Sequence, residues 1–138
     1  IEGSTKYRPR GGHFEGRYEG PVSIFAVEEA RNALASKVGT AAFGDRVYSG
    51  AYLLETMPCV LFILAKYGDD PERAILEAVN GTKDNDTIAA IVGGAVGALH
   101  GANSFPGAWV SGLTGSLGND TDTNVFALTD RALDAWLN

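Results

Sequence analysis

The segment from Ile88 to Leu99 constrains the fold most. Its apolar residues return at helical spacing, while its small residues prevent the helix from standing alone. Ile88, Ile91, Val92, Ala95, Val96 and Leu99 trace one helical stripe. Gly93, Gly94 and Gly97 lie within it, and each weakens an isolated helix by roughly 1 kcal/mol relative to alanine. Such a helix forms only where others pack against it, and glycine lets a neighbouring backbone come close. The segment therefore predicts a tertiary assembly of helices, with this glycine-lined helix at its centre.

Further stretches carry the same period. Val22, Phe25, Ala26, Ala30, Ala33 and Leu34 trace a helix from Pro21 to about Lys37, with Pro21 suited to a first turn because its missing N–H needs no partner there. Gly39 and Gly44 then interrupt the pattern, and residues 45 to 51 read as a linker. From Tyr52 to Lys66 the apolar positions Leu53, Met57, Val60, Leu61 and Leu64 fit a buried helix. Pro58 conflicts with that period, and the expectation is that it sits in the first turn with Thr56 as cap. Asp70-Pro71-Glu72 is a start signal made of a capping side chain, a preorganised first residue and an acid at the positive helix end. That helix stops at Asn80-Gly81, and the next starts at Asp84 to Asp86 and runs to His100. Pro106 opens a short helical turn with Trp109 and Val110, and a last helix runs from Thr123 to Trp136.

No stretch alternates in the manner of a strand and no segment repeats. The fold class is therefore all-α, an irregular orthogonal bundle. Residues 1 to 20, with five glycines and no apolar period, read as a flexible or extended arm ahead of a helical domain over residues 21 to 138. Arg10-Gly11-Gly12 beside Phe14 and Tyr18 has the look of an RNA-binding tail. The balance of four basic and three acidic side chains in the arm argues for an ordinary packed or flexible segment instead.

The chain's 138 residues, 45% of them hydrophobic, suffice for one core. A net charge of -6 repels backbone phosphates and excludes non-specific nucleic-acid binding. The longest apolar run, near residues 57 to 65, is less than half a membrane span, so no membrane partner is expected. Cys59, the single cysteine, sits among apolar neighbours as an inert core thiol and suits a reducing, cytoplasmic compartment. Because the sequence begins at Ile1, the chain is expected to be a processed or excised piece.

The chemistry concentrates in Asn80-Gly81-Thr82-Lys83-Asp84-Asn85-Asp86-Thr87. Asp84 and Asp86, one residue apart in a turn entering a helix, have two readings: they cap the helix, or they converge on a cation while free N–H groups support their charge. With the Thr87 hydroxyl they form a hard-oxygen set that suits Mg²⁺ over a soft metal. Three ligands do not fill an octahedron, so waters, substrate or other carboxylates would complete it. Asp120-Thr121-Asp122-Thr123 repeats the local theme before another helix. Neither stretch has the glycine and distal glutamate of a calcium-binding EF-hand loop. His100 reads as a satisfied helix-end histidine, and Ser104, Ser111 and Ser116 lack a nucleophile elbow.

The order of several pieces resembles the ADP-ribosylglycohydrolase family, all-helical enzymes that remove ADP-ribose from modified targets. The pieces are Tyr52-Leu53-Leu54-Glu55-Thr56-Met57-Pro58, Pro71-Glu72-Arg73-Ala74-Ile75-Leu76-Glu77-Ala78-Val79-Asn80, Asp84-Asn85-Asp86-Thr87-Ile88-Ala89-Ala90-Ile91-Val92-Gly93-Gly94-Ala95 and Phe105-Pro106-Gly107-Ala108-Trp109. The resemblance implies that Asp84, Asp86 and Thr87 are the C-terminal half of a two-Mg²⁺ site, and that this chain is the C-terminal portion of a larger fold. The family's other metal half, an acidic Thr-Asp-Asp type motif far upstream, has no counterpart here, and Glu28-Glu29 lacks matching neighbours for a catalytic acid. Lys83 stands where family members often carry an acidic residue.

The implied partners are an ADP-ribosylated substrate and a missing N-terminal half or complementary chain. Tyr48 and Tyr52 are candidate contacts to adenine or ribose, with plain packing as the alternative. The implied function is a component of a Mg²⁺-dependent hydrolase cleaving the ribosyl C1 bond. The other reading is a non-catalytic structural or interaction domain of the same family.

Overall fold

The computed structural model describes residues 6–115 and 124–137. Among these the regular structure is seven α-helices and two short 3-10 turns, with one isolated antiparallel bridge between Tyr7 and Gly20. The chain divides into two compact units, residues 1–105 and 106–138.

In the first unit, α1 (Val22–Ala35) starts one residue after Pro21 and buries Phe25, Ala26, Ala30 and Ala33. The stretch read from sequence as an interruption is a helix, α2 (Thr40–Val47). Thr40, Phe43, Gly44 and Val47 are its buried residues and keep helical spacing, but a threonine and a glycine hold two of the four positions, so the stripe does not look apolar. Gly44 is required there: a Cβ would fall 2.6 Å from the carbonyl oxygen of Gly81. The helix ends at Tyr48, in the left-handed region with φ 63°.

α3 (Leu53–Tyr67) carries Pro58 in its interior, not in its first turn. Thr56 is no cap either, because its hydroxyl donates to the carbonyls of Gly50 at 3.1 Å and Tyr52 at 3.2 Å. An interior proline costs about 3 kcal/mol. Burial offsets it: Phe62 and Ile63 are 0% exposed, and each such side chain contributes about 1.5–3 kcal/mol. α3 packs against α1, α2, α4 (Pro71–Gly81) and α5 (Asn85–His100). It is therefore α3, and not the glycine-lined α5, that forms the centre. Gly93 faces Ile75 and Gly97 faces Phe105 in ordinary to tight contact, while Gly94 has open space beside it.

The core joins Phe43 and Phe62, whose rings lie 4.5 Å apart, to Ile63, Ala74, Ala78, Ile88, Val92 and Val96. α4 opens as its sequence predicts, with the Asp70 carboxylate accepting the Arg73 N–H at 3.0 Å and Pro71 in the first turn. His100 Nε2 lies 2.7 Å from the Gly68 carbonyl, tying the end of α5 to the end of α3. Within residues 6–20, Tyr7, Pro9 and Gly11 are buried, and Tyr7 and Gly20 exchange backbone hydrogen bonds of 2.7 and 3.2 Å. Tyr7 is buried, its ring 5.2 Å from that of Phe25.

The second unit holds α6 (Gly107–Gly112) and α7 (Val125–Leu137). The Asn124 side chain accepts the Phe126 N–H at 2.9 Å and so caps α7. The sequence places that start at Thr123, which lies outside the described residues, as do Asp120, Thr121 and Asp122. Among the described residues no helix is long and apolar enough to cross a membrane.

Candidate functional site

Two tight turns meet in the first unit. One runs from Tyr48 to Tyr52 between α2 and α3, the other from Thr82 to Asp84 between α4 and α5. Ser49, fully buried, joins them. Its carbonyl accepts the Asp84 N–H at 2.9 Å and its hydroxyl accepts the Lys83 N–H at 3.0 Å. The close approach of Gly44 to Gly81 lets the two turns come this near. Neither Ser49 nor Gly44 has a signal readable in the sequence, because their partners lie more than thirty residues away.

Asp84 occupies the N-cap position of α5, yet its side chain makes no cap hydrogen bond. Its Oδ2 is buried with no hydrogen-bond partner among the described residues. A buried carboxylate oxygen without a partner costs free energy that native structures normally avoid. Asp86, exposed in the first turn, uses Oδ1 to accept the Thr87 N–H at 2.9 Å. Thr87 is also exposed. The three candidate ligands thus share one helix start, where the free N–H groups favour negative charge. Among the described residues no group of three or more His, Cys, Asp or Glu could hold a metal ion, so Asp84, Asp86 and Thr87 make at most part of a centre.

Lys83 is turned to other partners. Its Nζ lies 4.5 Å from the centroid of the Tyr48 ring and 3.6 Å from Asp45 Oδ1. Tyr48, held in the left-handed conformation, therefore stands beside the Asp84 turn. Tyr52 is linked to that region less directly. A Cβ on Gly50 would fall 2.8 Å from Glu55 Oε2 and 3.2 Å from Tyr48 Cε1, and Arg10, which holds Glu55, lies over the Tyr52 ring at 4.7 Å.

The ion pair between Arg10 and Glu55 is absent from the sequence reading. Arg10 Nε and Nη2 donate to Glu55 Oε1 and Oε2, both at 2.8 Å, across 45 residues of sequence. A glutamate on the buried side of an apolar helix signals that a cation must come from elsewhere, but not which one. This assignment takes Arg10-Gly11-Gly12 away from any RNA-tail reading. Burial, reinforced by the charge of Glu55, pushes the Tyr7 phenol up to about 12. Burial likewise pushes the Cys59 thiol up to about 12, with a hydrogen bond to Ser49 acting the other way. Cys59 is an inert thiol in this setting.

A family model described as ADP-ribosylglycohydrolase matches residues 10–137 of the chain. Among curated proteins, the uncharacterized protein YegU of Escherichia coli (strain K12) is 30% identical over 80 residues, which are 58% of this chain and 24% of that protein. The matched stretch thus spans about a quarter of that relative's length. No solved structure gives a significant match.

Proposed function

The chain belongs to the ADP-ribosylglycohydrolase family, and from that premise we propose that it is a component of a cytoplasmic Mg²⁺-dependent hydrolase that cleaves the ribosyl C1 bond of an ADP-ribosylated substrate. The observation that carries the reading is Oδ2 of Asp84, buried and without a hydrogen-bond partner among the described residues. A capping aspartate would spend its side chain on the helix N–H groups, and Asp84 does not. A hard cation would give that oxygen its partner, with Asp86 and the Thr87 hydroxyl beside it.

Asp84, Asp86 and Thr87 would hold the ion, and a second ion and the remaining ligands would come from the complementary portion of the domain. When bound, magnesium supplies positive charge that orients ribose hydroxyls and water and offsets charge redistribution toward an oxocarbenium-like state. The chain's own residues prepare this. Ser49 fixes the Asp84 backbone through one bond to each of two successive N–H groups. Tyr48 and Tyr52 would offer flat faces to the adenine or ribose. The two cations beside the rings, Lys83 and Arg10, are both engaged with acids. One observation favours a second reading, a non-catalytic structural or interaction domain: the described residues supply no third acidic or histidine ligand next to Asp84 and Asp86.

Release of ADP-ribose from an ADP-ribosylated protein separates the two readings. The purified chain is expected to show little turnover alone, and Mg²⁺-dependent turnover abolished by EDTA once a complementary family portion carrying the other acidic motif is added. No turnover in that assembly would favour the non-catalytic domain.

A further inference from the structure

The arm before α1 lies across both candidate ligand-facing tyrosines. The Tyr7–Gly20 bridge closes residues 7–20 into a loop, and the Arg10-Gly11-Gly12 run fits residue by residue onto the segment from Arg46 to Glu55. Arg10 meets Glu55 through two bonds and sets its guanidinium over the Tyr52 ring. Gly11 abuts Tyr48 so closely that a Cβ would fall 2.5 Å from ring carbon Cδ2. Gly12, at φ 74°, leaves a Cβ only 2.6 Å from the Arg46 carbonyl oxygen. Sequence variation in this run would therefore displace the turn it covers.

Exposure divides the cluster unequally. Glu55 is 0% exposed, while the Arg10 side chain is 57% exposed and Tyr52, at the start of α3, is 44% exposed. A surface arginine thus anchors its head on a buried carboxylate and holds its guanidinium carbon 4.7 Å from the centroid of the Tyr52 ring. A guanidinium paired through two of its three nitrogens has one orientation, whereas an ammonium is a point charge without a plane. A ring whose face meets that fixed cation is held against it by cation–π attraction.

We propose that Arg10 is a positioning residue: pinned by Glu55, it fixes the Tyr52 ring as the stacking platform for the adenine or ribose of the ligand. This rests on the preceding reading of Tyr52 as ligand-facing. The arm then belongs to the recognition site and is more than a tether. Sequence could not point to it, since Arg10 precedes Tyr52 by forty-two positions and no local pattern joins them.

Two variants of the full chain test this. Arg10→Lys keeps the charge and so the burial of Glu55 but loses the fork. Because removing the cation alone strands a buried carboxylate, Arg10→Met is made together with Glu55→Gln. Two readouts apply to each: the rate at which tetranitromethane nitrates Tyr52, resolved by peptide mass, and the affinity for ADP-ribose by titration calorimetry with Mg²⁺, with and without the complementary portion. The melting temperature serves as control.

R10K is expected to melt close to wild type, yet to nitrate at Tyr52 severalfold faster and bind ADP-ribose at least tenfold more weakly, with the double variant behaving alike. A purely structural ion pair would be rescued by lysine, so R10K with wild-type nitration and affinity overturns the proposal. If wild type takes up no ADP-ribose in either form, the ligand reading itself fails and the proposal with it. That outcome is distinct from one in which wild type binds and the variants bind equally well.

Discussion

At the start of α4, Asp70 accepts the Arg73 N–H and closes its own helix. At the start of α5, Asp84 stands at the same cap position and makes no such bond. The backbones explain part of the difference. Asp70 has φ -128° and ψ 90°, in the extended region where a side chain curls back onto its helix. Asp84 has φ -91° and ψ 62°, with its N–H drawn away to the Ser49 carbonyl. One helix start is built locally. The other is held from outside by α2 and its turn, and its carboxylate keeps a buried oxygen without a partner among the described residues. Two aspartates with the same sequence role thus divide into a structural cap and a candidate ligand, and what divides them is tertiary contact.

The strongest way to break this contrast is to push α2 away from the α4–α5 turn. Gly44→Ala places a methyl where only 2.6 Å separates it from the Gly81 carbonyl oxygen, and overpacking of this kind costs about 1–3 kcal/mol. The Ser49 bonds to Lys83 and Asp84 should loosen, while the cap at Asp70 remains. Thermal unfolding should show the loss. Hydrogen exchange should show it concentrated at the amides of Lys83 and Asp84, with the Arg73 amide protected as before. Uniform loss at both helix starts would contradict the division between local and tertiary control.

A direct comparison of the aspartates comes next. Asp84→Asn removes a negative ligand and keeps the size, so Mg²⁺ affinity in the assembled protein should fall at least tenfold, or about 1.4 kcal/mol. Stability should hold, because the side chain makes no cap hydrogen bond to lose. Asp70→Ala should do the reverse: loss of about 1 kcal/mol for a missing cap, with Mg²⁺ affinity unchanged. Calorimetric titration alongside circular dichroism reads both. An Asp84→Asn protein with wild-type affinity and a destabilised α5 would return Asp84 to the capping role.

This contrast also shows how far the sequence reaches. The start of α4 is legible because all its parts, Asp70, Pro71 and Glu72, are adjacent. The existence of α5 is legible from its apolar stripe, and the family from the order of its motifs. The centre of the bundle is not. The glycines of α5 invite close packing, but α3 takes the central place because Glu55, Thr56 and Pro58 are buried along with its apolar residues, and no apolar-period argument would select them. α2 escapes because Thr40 and Gly44 hold half of its buried face. At the site, spacing leaves Asp84, Asp86 and Thr87 between capping and cation binding and the family resemblance singles them out, whereas Ser49 and the Arg10–Glu55 pair act through long-range contacts that only the fold creates.

The smallest expected effect belongs to Thr87, and it sharpens the ranking of oxygens at the α5 start. Its side chain is exposed, and its own N–H is already taken by Asp86 Oδ1 at 2.9 Å. Thr87→Val keeps the branched shape and removes one neutral oxygen, a ligand that water can replace. Mg²⁺ affinity should fall by about threefold, roughly 0.6 kcal/mol, well under the change at Asp84. Valine is close to threonine in helix propensity, so helical content should not move. A loss at Thr87 equal to that at Asp84 would mean that the hydroxyl anchors the cation as strongly as the buried carboxylate oxygen does. The ranking of oxygens at the α5 start would then lose its premise.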